Sequence, residues 1–390
     1  MFFDSINFAQ GATFGMNLYC FMLYCFLLIV SIRGNITNLY VNEKDRFRTT
    51  LLYCGILLFA LTPFVGDDFF HYHELMSEYR GQVFGDQERG LEAFYQYLIY
   101  YIDGDYFLFR LVVWGASLFV VVRAARRYGA NIYHTLFVIL AGFIVTFSYA
   151  RATLAMAVFS LGVVMICVIN EQKFIKKILT TIIGLITVLC SIYFHRSMFP
   201  MVVIAVLWQL LPRKRQLSKY SLWLFPIFVA ISAIVLKTAF EELLVVANTM
   251  EDESGMLDRA EYYTEQDGVK HNLNGYIRLI LHYLTFYFPF IVIANAFRSD
   301  RVQQLADRKI IWMYQIMYWI MVFATSFLFL DIETDVLFDR YLYMSFIPMS
   351  LLVVSMKDNG ALTKGQYLCI VICFVVSNLF QLFAAVYSVS

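Results

Sequence analysis

The stretch YARATLAMAVFSLGVVMICVINEQKFIKKILTTIIGLITVLCSIYFHR, residues 149–196, decides the fold. Two continuous apolar runs, about 151–169 and 178–193, flank a short basic loop holding Lys173, Lys176 and Lys177. Arg151 opens the first run, and His195 and Arg196 follow the second. About twenty apolar residues are what a helix needs to cross a bilayer. Only helices and closed barrels satisfy their backbone there. Barrel strands would alternate apolar and polar residues in short segments. These runs do not alternate, so membrane-spanning helices are predicted.

The same pattern extends over the whole chain. Of 390 residues, 61% are hydrophobic and 15% charged, with a mean hydropathy of +0.66; a soluble domain is roughly half apolar and about a quarter charged. About twelve spans are read: 14–32, 50–65, 107–122, 131–148, 151–169, 178–193, 196–211, 221–239, 276–297, 310–330, 337–356 and 366–388. The joins 148–151 and 193–196 are tight, so the spans they link are predicted as helical hairpins. The expectation is an all-α polytopic membrane helix bundle, one domain over 1–390, without internal repeat or soluble domain. The start, MFFDSINFAQ, has no basic n-region, so no cleaved signal peptide is expected. All seven cysteines lie in apolar runs and read as small hydrophobes. Net charge is +1, so no overall field selects a nucleic acid.

Charge placement orients the bundle. Most of the 30 Lys and Arg fall in one set of loops: Arg33 to Arg48, Arg123 to Arg127, Lys173 to Lys177, Arg213 to Lys219, Arg298 to Lys309, and Lys357 with Lys364. Basic loops stay cytoplasmic. Most of the 29 acids lie on the other side, in loops 66–106 and 240–275 and around 331–339. Both termini are then extracytoplasmic, and both long loops are external. Loop 66–106 reads as two short aromatic helices at the membrane surface, Phe69 to Tyr79 and Leu91 to Tyr101. Their tyrosines read as interfacial anchors, with sugar-ring stacking as the alternative.

Several arginines break the sidedness. Arg110, Arg151, Arg196, Arg278 and Arg340 sit near the outer ends of inward-running helices. Such ends carry free N–H groups and the positive pole of the helix dipole, and guanidinium binds phosphate bidentately. Together they read as a diphosphate site at headgroup depth. For Arg110 or Arg278 alone, snorkelling to lipid is the ordinary reading. Acids and histidines fall at the same level: Asp67 and Asp68 with His71 and His73, then His195, then His282 one turn past Arg278, then Asp339-Arg340-Tyr341. A base beside an anion clamp is what glycosyl transfer from a phosphate needs. His71 and His73 diverge on a helix, so no metal site is expected.

Three stretches carry a resemblance to a known family: Tyr149-Ala150-Arg151-Ala152-Thr153-Leu154-Ala155-Met156-Ala157, the loop Lys173–Lys177, and Phe194-His195-Arg196-Ser197-Met198. They resemble the central signature of EpsG-family proteins, Wzy-type polymerases of exopolysaccharide, capsule and O-antigen. Gly66-Asp67-Asp68 and Asp339-Arg340-Tyr341 fit the same pattern. Ala152 stands where the family usually has glutamine after the arginine. The resemblance implies a GT-C-like fold in the bacterial inner membrane. It implies a metal-independent glycosyltransferase without cofactor, joining oligosaccharide repeats carried on undecaprenyl diphosphate at the outer face. Arg151, Arg196, Arg278 and Arg340 would bind diphosphate, and Asp67, Asp68 or His195 would act as catalytic base. His282, Asp339 and Tyr341 would support them, and external aromatics would guide the glycan. Membrane lipid, a chain-length regulator and a flippase are the candidate partners. A flippase for the same lipid, an O-antigen ligase and a membrane acyltransferase using His195 are the competing readings. Charges at the outer boundary and few at mid-depth favour surface chemistry over transport.

Overall fold

A computed structural model describes residues 14–37, 45–61, 76, 92–142, 150–168, 174–210, 215–249, 279–330 and 335–387. It is 91% helix, with no strand among the described residues. The helices are α1 (Phe14–Thr37), α2 (Asp45–Leu61), α3 (Ala93–Tyr101), α4 (Tyr106–Tyr128), α5 (Ile132–Ala141), α6 (Ala150–Cys167), α7 (Phe174–Phe194), α8 (Phe199–Leu210) and α9 (Arg215–Thr249). There follow α10 (Leu279–Phe297), α11 (Asp300–Leu305), α12 (Arg308–Ser326), α13 (Asp335–Met344), α14 (Phe346–Asp358) and α15 (Lys364–Tyr387).

Among the described residues, six helices are long and apolar enough to cross a membrane: α4, α7, α9, α10, α12 and α15. Four shorter apolar helices, in α1, α5, α6 and α8, match further predicted runs. Apolar side chains face outward in bands, among them Ile175, Leu179, Ile182, Ile186 and Leu189 on α7 and Trp223, Ile227, Ile231 and Ile234 on α9. Water would not tolerate patches of this extent, but lipid does. By contrast α12 is apolar all round and buried almost throughout. A helix hydrophobic on every face belongs at the centre of a bundle, and α12 packs against α6, α8, α9, α13 and α14.

Three predicted boundaries are corrected. The expected span 337–356 is two helices meeting at Ser345. Pro348 has no N–H for the carbonyl of Met344, and its ring crowds that carbonyl. The Ser345 hydroxyl instead donates back to the Leu342 carbonyl at 2.7 Å. The expected span 131–148 starts as helix α5, which ends at Gly142. A Cβ at Gly142 would run into the Phe346 ring, so glycine lets α14 approach here. Finally, α9 does not stop at 239 but continues as helix to Thr249, into the segment read as a loop from 240.

The loops predicted to share a side meet at one end of the bundle. The Tyr128 hydroxyl donates to the Lys309 carbonyl at 3.3 Å, the Asn131 N–H donates to the Asp358 carboxylate at 3.1 Å, and Lys219 pairs with Asp300 at 2.9 Å. Helix α4 is closed at this end by Gly129 at φ 79°, a left-handed position open to glycine at no steric cost. Its other end is capped by Asp105, whose carboxylate accepts from the Leu108 N–H at 2.9 Å.

The tightest pairing is the antiparallel hairpin of α6 and α7. A Cβ at Gly162 would lie 2.7 Å from the Val188 backbone nitrogen and 2.8 Å from the Gly184 carbonyl oxygen. Small residues bring membrane helices this close, because between helices in lipid van der Waals packing takes over from the hydrophobic effect. The hairpin fixes Arg151, at the start of α6, beside the exit of α7. Replacing Gly162 by Val must push backbone apart, and overpacking of this kind costs about 1–3 kcal/mol. Thermal unfolding in detergent should therefore show Gly162→Val melting clearly below wild type. Gly115→Ala, where a Cβ meets nothing within 4 Å, should not.

Candidate functional site

The site is built at the end of the bundle opposite the basic loops, where α3 lies across the mouth of the α6–α7 hairpin. Helix α3 has two faces. Tyr95 and Ile99 are buried, while Tyr97, Tyr100 and Tyr101 are exposed. Phe94 sets an edge on Phe194 at 4.8 Å between ring centroids, and Tyr95 packs on Phe109 at 5.8 Å. The Tyr95 hydroxyl donates to the Arg151 carbonyl at 2.9 Å. These contacts tie α3 to α4, α6 and α7 at once.

Glu92, immediately before α3, is the hub. It stands at the N-cap, but its side chain makes no capping bond to the helix. The carboxylate turns instead to the hairpin. Oε2 accepts from Arg151 Nη1 at 2.8 Å, and Oε1 lies 2.9 Å from His195 Nδ1. The Arg196 backbone N–H donates to Oε1 at 3.3 Å. Glu92 is 6% exposed, while Arg151 and His195 keep 22% and 16% of their side-chain surface. Arg151 and His195 are thus reachable from the surface of the bundle, and the acid is behind them.

Burial by itself would raise the Glu92 carboxyl. The hydrogen bond from His195 and the charge of Arg151 outweigh it and hold the group down at about 2. Glu92 is therefore ionised throughout the physiological range. An ionised carboxylate only accepts, so Nδ1 of His195 carries the proton in this contact. In the neutral ring, Nε2 is then the free base. A carboxylate that fixes the tautomer and stabilises the imidazolium is the standard way to prepare a histidine for proton abstraction.

The residues expected from sequence fare differently. Arg151 and His195 are brought together, through Glu92. Arg196 opens a short 3-10 turn, Arg196–Met198, with an exposed side chain; its backbone, not its guanidinium, meets Glu92. Arg110 is buried, 5.8 Å from the Tyr106 ring centroid, so it does not snorkel to lipid. His282 is buried among Phe286, Phe338 and Tyr343, which packs α10 against α13. Tyr341 is buried and packs on Phe323 and Phe327. Asp67, Asp68, His71, His73 and Arg278 lie outside the described residues, as do the side chains of Asp339 and Arg340 on α13.

Glu92 itself was not singled out by the sequence, being one of many acids in 66–106. Two signals mark it in retrospect. Glu92, Tyr95 and Ile99 fall on one helical stripe that is otherwise apolar. Glutamate is also an unusual N-cap, a position that prefers Ser, Thr, Asp and Asn.

The family model described as EpsG family matches residues 46–390. No curated protein and no solved structure matches the chain.

The sign of the pH dependence follows from the depressed Glu92 group. Its contribution to stability is present in full above the ordinary carboxylate value and is lost as pH falls through about 2. Glu92→Gln should lower stability by about 1–3 kcal/mol near neutral pH, by leaving the Arg151 charge uncompensated. Melting in detergent should show that gap shrinking as the pH is taken from 5 towards 2. A gap that stayed constant would mean that Glu92 is not held by this pair of partners.

Proposed function

The chain belongs to the EpsG family, a family of Wzy-type polysaccharide polymerase-like proteins, and from that premise we propose that it polymerises undecaprenyl-diphosphate-linked oligosaccharide repeats at the outer face of a bacterial inner membrane. In this reading both termini are extracytoplasmic, and about twelve spans form a GT-C-like bundle. The observation that carries the reading is the buried Glu92 carboxylate joining Arg151 to His195 at one end of an apolar helix bundle.

The proposed chemistry is a displacement. A hydroxyl of the incoming repeat attacks the anomeric carbon of the growing chain. The new C–O bond forms as the bond to the lipid diphosphate breaks, and the diphosphate leaves with the electron pair. Nε2 of His195 takes the hydroxyl proton, and Glu92 stabilises the resulting imidazolium across the 2.9 Å contact. Arg151 and Arg196 supply positive charge to the departing diphosphate, with Arg278 and Arg340 as further candidates. Such charge does in this scheme what a metal ion does elsewhere. Asp67 and Asp68 remain alternative bases. The exposed faces of Tyr97, Tyr100 and Tyr101, on the outer side of α3, suit stacking against the glycan.

The test is a gel of surface glycan lengths. Deletion should leave glycan of a single repeat, and His195→Ala or Arg151→Ala at normal expression should fail to restore long chains, with at least a hundredfold less polymer. Glu92→Gln should retain more activity than His195→Ala, because it weakens the base without removing it. Normal chain lengths from His195→Ala would reject the assignment. Loss of even the single-repeat product would point to transport of the lipid in place of polymerisation.

A further inference from the structure

A cavity of about 280 Å³ opens on the side of the bundle between α8, α9 and α12. Ile204, Trp208, Phe228, Ile231, Trp319 and Phe323 form most of its wall. We propose that this groove holds the polyisoprenoid tail of the lipid-diphosphate substrate; the assignment of the tail's owner rests on the polymerase reading above.

Depth is the first argument. Phe228 is nine residues past Lys219 on α9, and Trp319 is ten past Lys309 on α12. At 1.5 Å per residue both lie about 13–15 Å from the basic end. Trp208 is nine residues past Phe199 on α8, so it lies about 13 Å from the opposite end. The hydrocarbon core is about 30 Å thick. The counts on α9 and α12 therefore put the groove at the bilayer midplane, and Trp208, two residues before the end of α8 at Leu210, extends it towards the basic end; no water is at hand at that depth, and an apolar cavity stays dry. Hydrocarbon fills it.

Continuity is the second argument, and it selects which hydrocarbon. Helix α8 begins directly after His195 and the turn Arg196–Met198. The helix that lines the groove with Ile204 and Trp208 thus continues from the residue assigned as base. A diphosphate held by Arg151 sits at the top of this helix, and a tail hanging from it passes down to the groove within about 13 Å. A phospholipid acyl chain has no matching reason to anchor its head there.

The experiment uses the full chain purified in detergent and a sugar-free polyprenyl diphosphate carrying a photoreactive group in the tail. Cross-linked peptides should map to 204–208, 228–232 and 319–323. A tenfold excess of unlabelled polyprenyl diphosphate should abolish labelling, and the same excess of phosphatidylglycerol should not. Filling the groove with Ile231→Trp should raise the KM for long-tailed donors at least tenfold and leave donors with a short tail unchanged. Labelling elsewhere, or equal competition by phosphatidylglycerol, overturns the proposal. Because the probe carries no sugar, groove labelling is read independently of whether the chain polymerises glycan.

Discussion

The end of the bundle that faces away from the basic loops is held together by one carboxylate. Glu92 joins three pieces of chain that are far apart in sequence: the start of α3, the first turn of α6 and the exit of α7. A buried acid is costly unless each oxygen is satisfied. Here one oxygen takes a guanidinium and the other takes an imidazole and a backbone N–H. Truncating either partner would leave charge buried without compensation, so the three elements hold position together. The contact is structural and chemical at once. It fixes the register of the hairpin against α3, and it fixes which nitrogen of His195 bears the proton.

That contact works because the hairpin beneath it is rigid. Gly162 and Gly184 bring α6 and α7 to near backbone contact, which leaves little freedom for their ends to drift. Aromatic packing from α3 closes the other side, with Phe94 on Phe194 and Tyr95 on Phe109. Distant packing and local chemistry are therefore linked: a change at mid-helix between two glycines moves Arg151 relative to His195. The opposite end is organised differently, by pairs such as Lys219 with Asp300 and by the Asn131–Asp358 bond, which tie connecting turns together.

Much of this was legible in the sequence, for a physical reason. Continuous apolar runs announce membrane helices because no other use of such runs is stable, and α4, α7, α9, α10, α12 and α15 follow them closely. Arg151 and His195 were legible because charge at the mouth of a tight apolar hairpin has few innocent explanations. Glu92 was not, because its importance comes from burial, and burial by tertiary contact leaves no mark on an acidic loop. The break at Ser345 was hidden for a related reason. Hydropathy does not see the missing N–H of Pro348, so the pattern shows one span where the backbone makes two. The ring packing of Tyr341 on Phe327 and of His282 on Phe338 is likewise a tertiary contact that residue type alone does not reveal.

The strength of the Glu92 contact also bears on what Glu92 itself can do within the proposed reaction. A carboxylate held near 2 is a feeble proton acceptor; the same interactions that bury it remove its basicity. Efficient proton transfer needs a group whose affinity for the proton lies near working pH. Of the two described partners at this junction, the guanidinium cannot give up its proton, and only the imidazole can change charge there. Glu92 thus serves the proposed reaction by holding its neighbours: one oxygen meets His195 and the other meets Arg151. His195 and Arg151 are spaced by one shared carboxylate, and a hydrogen bond to each of its oxygens limits how far the two can drift apart.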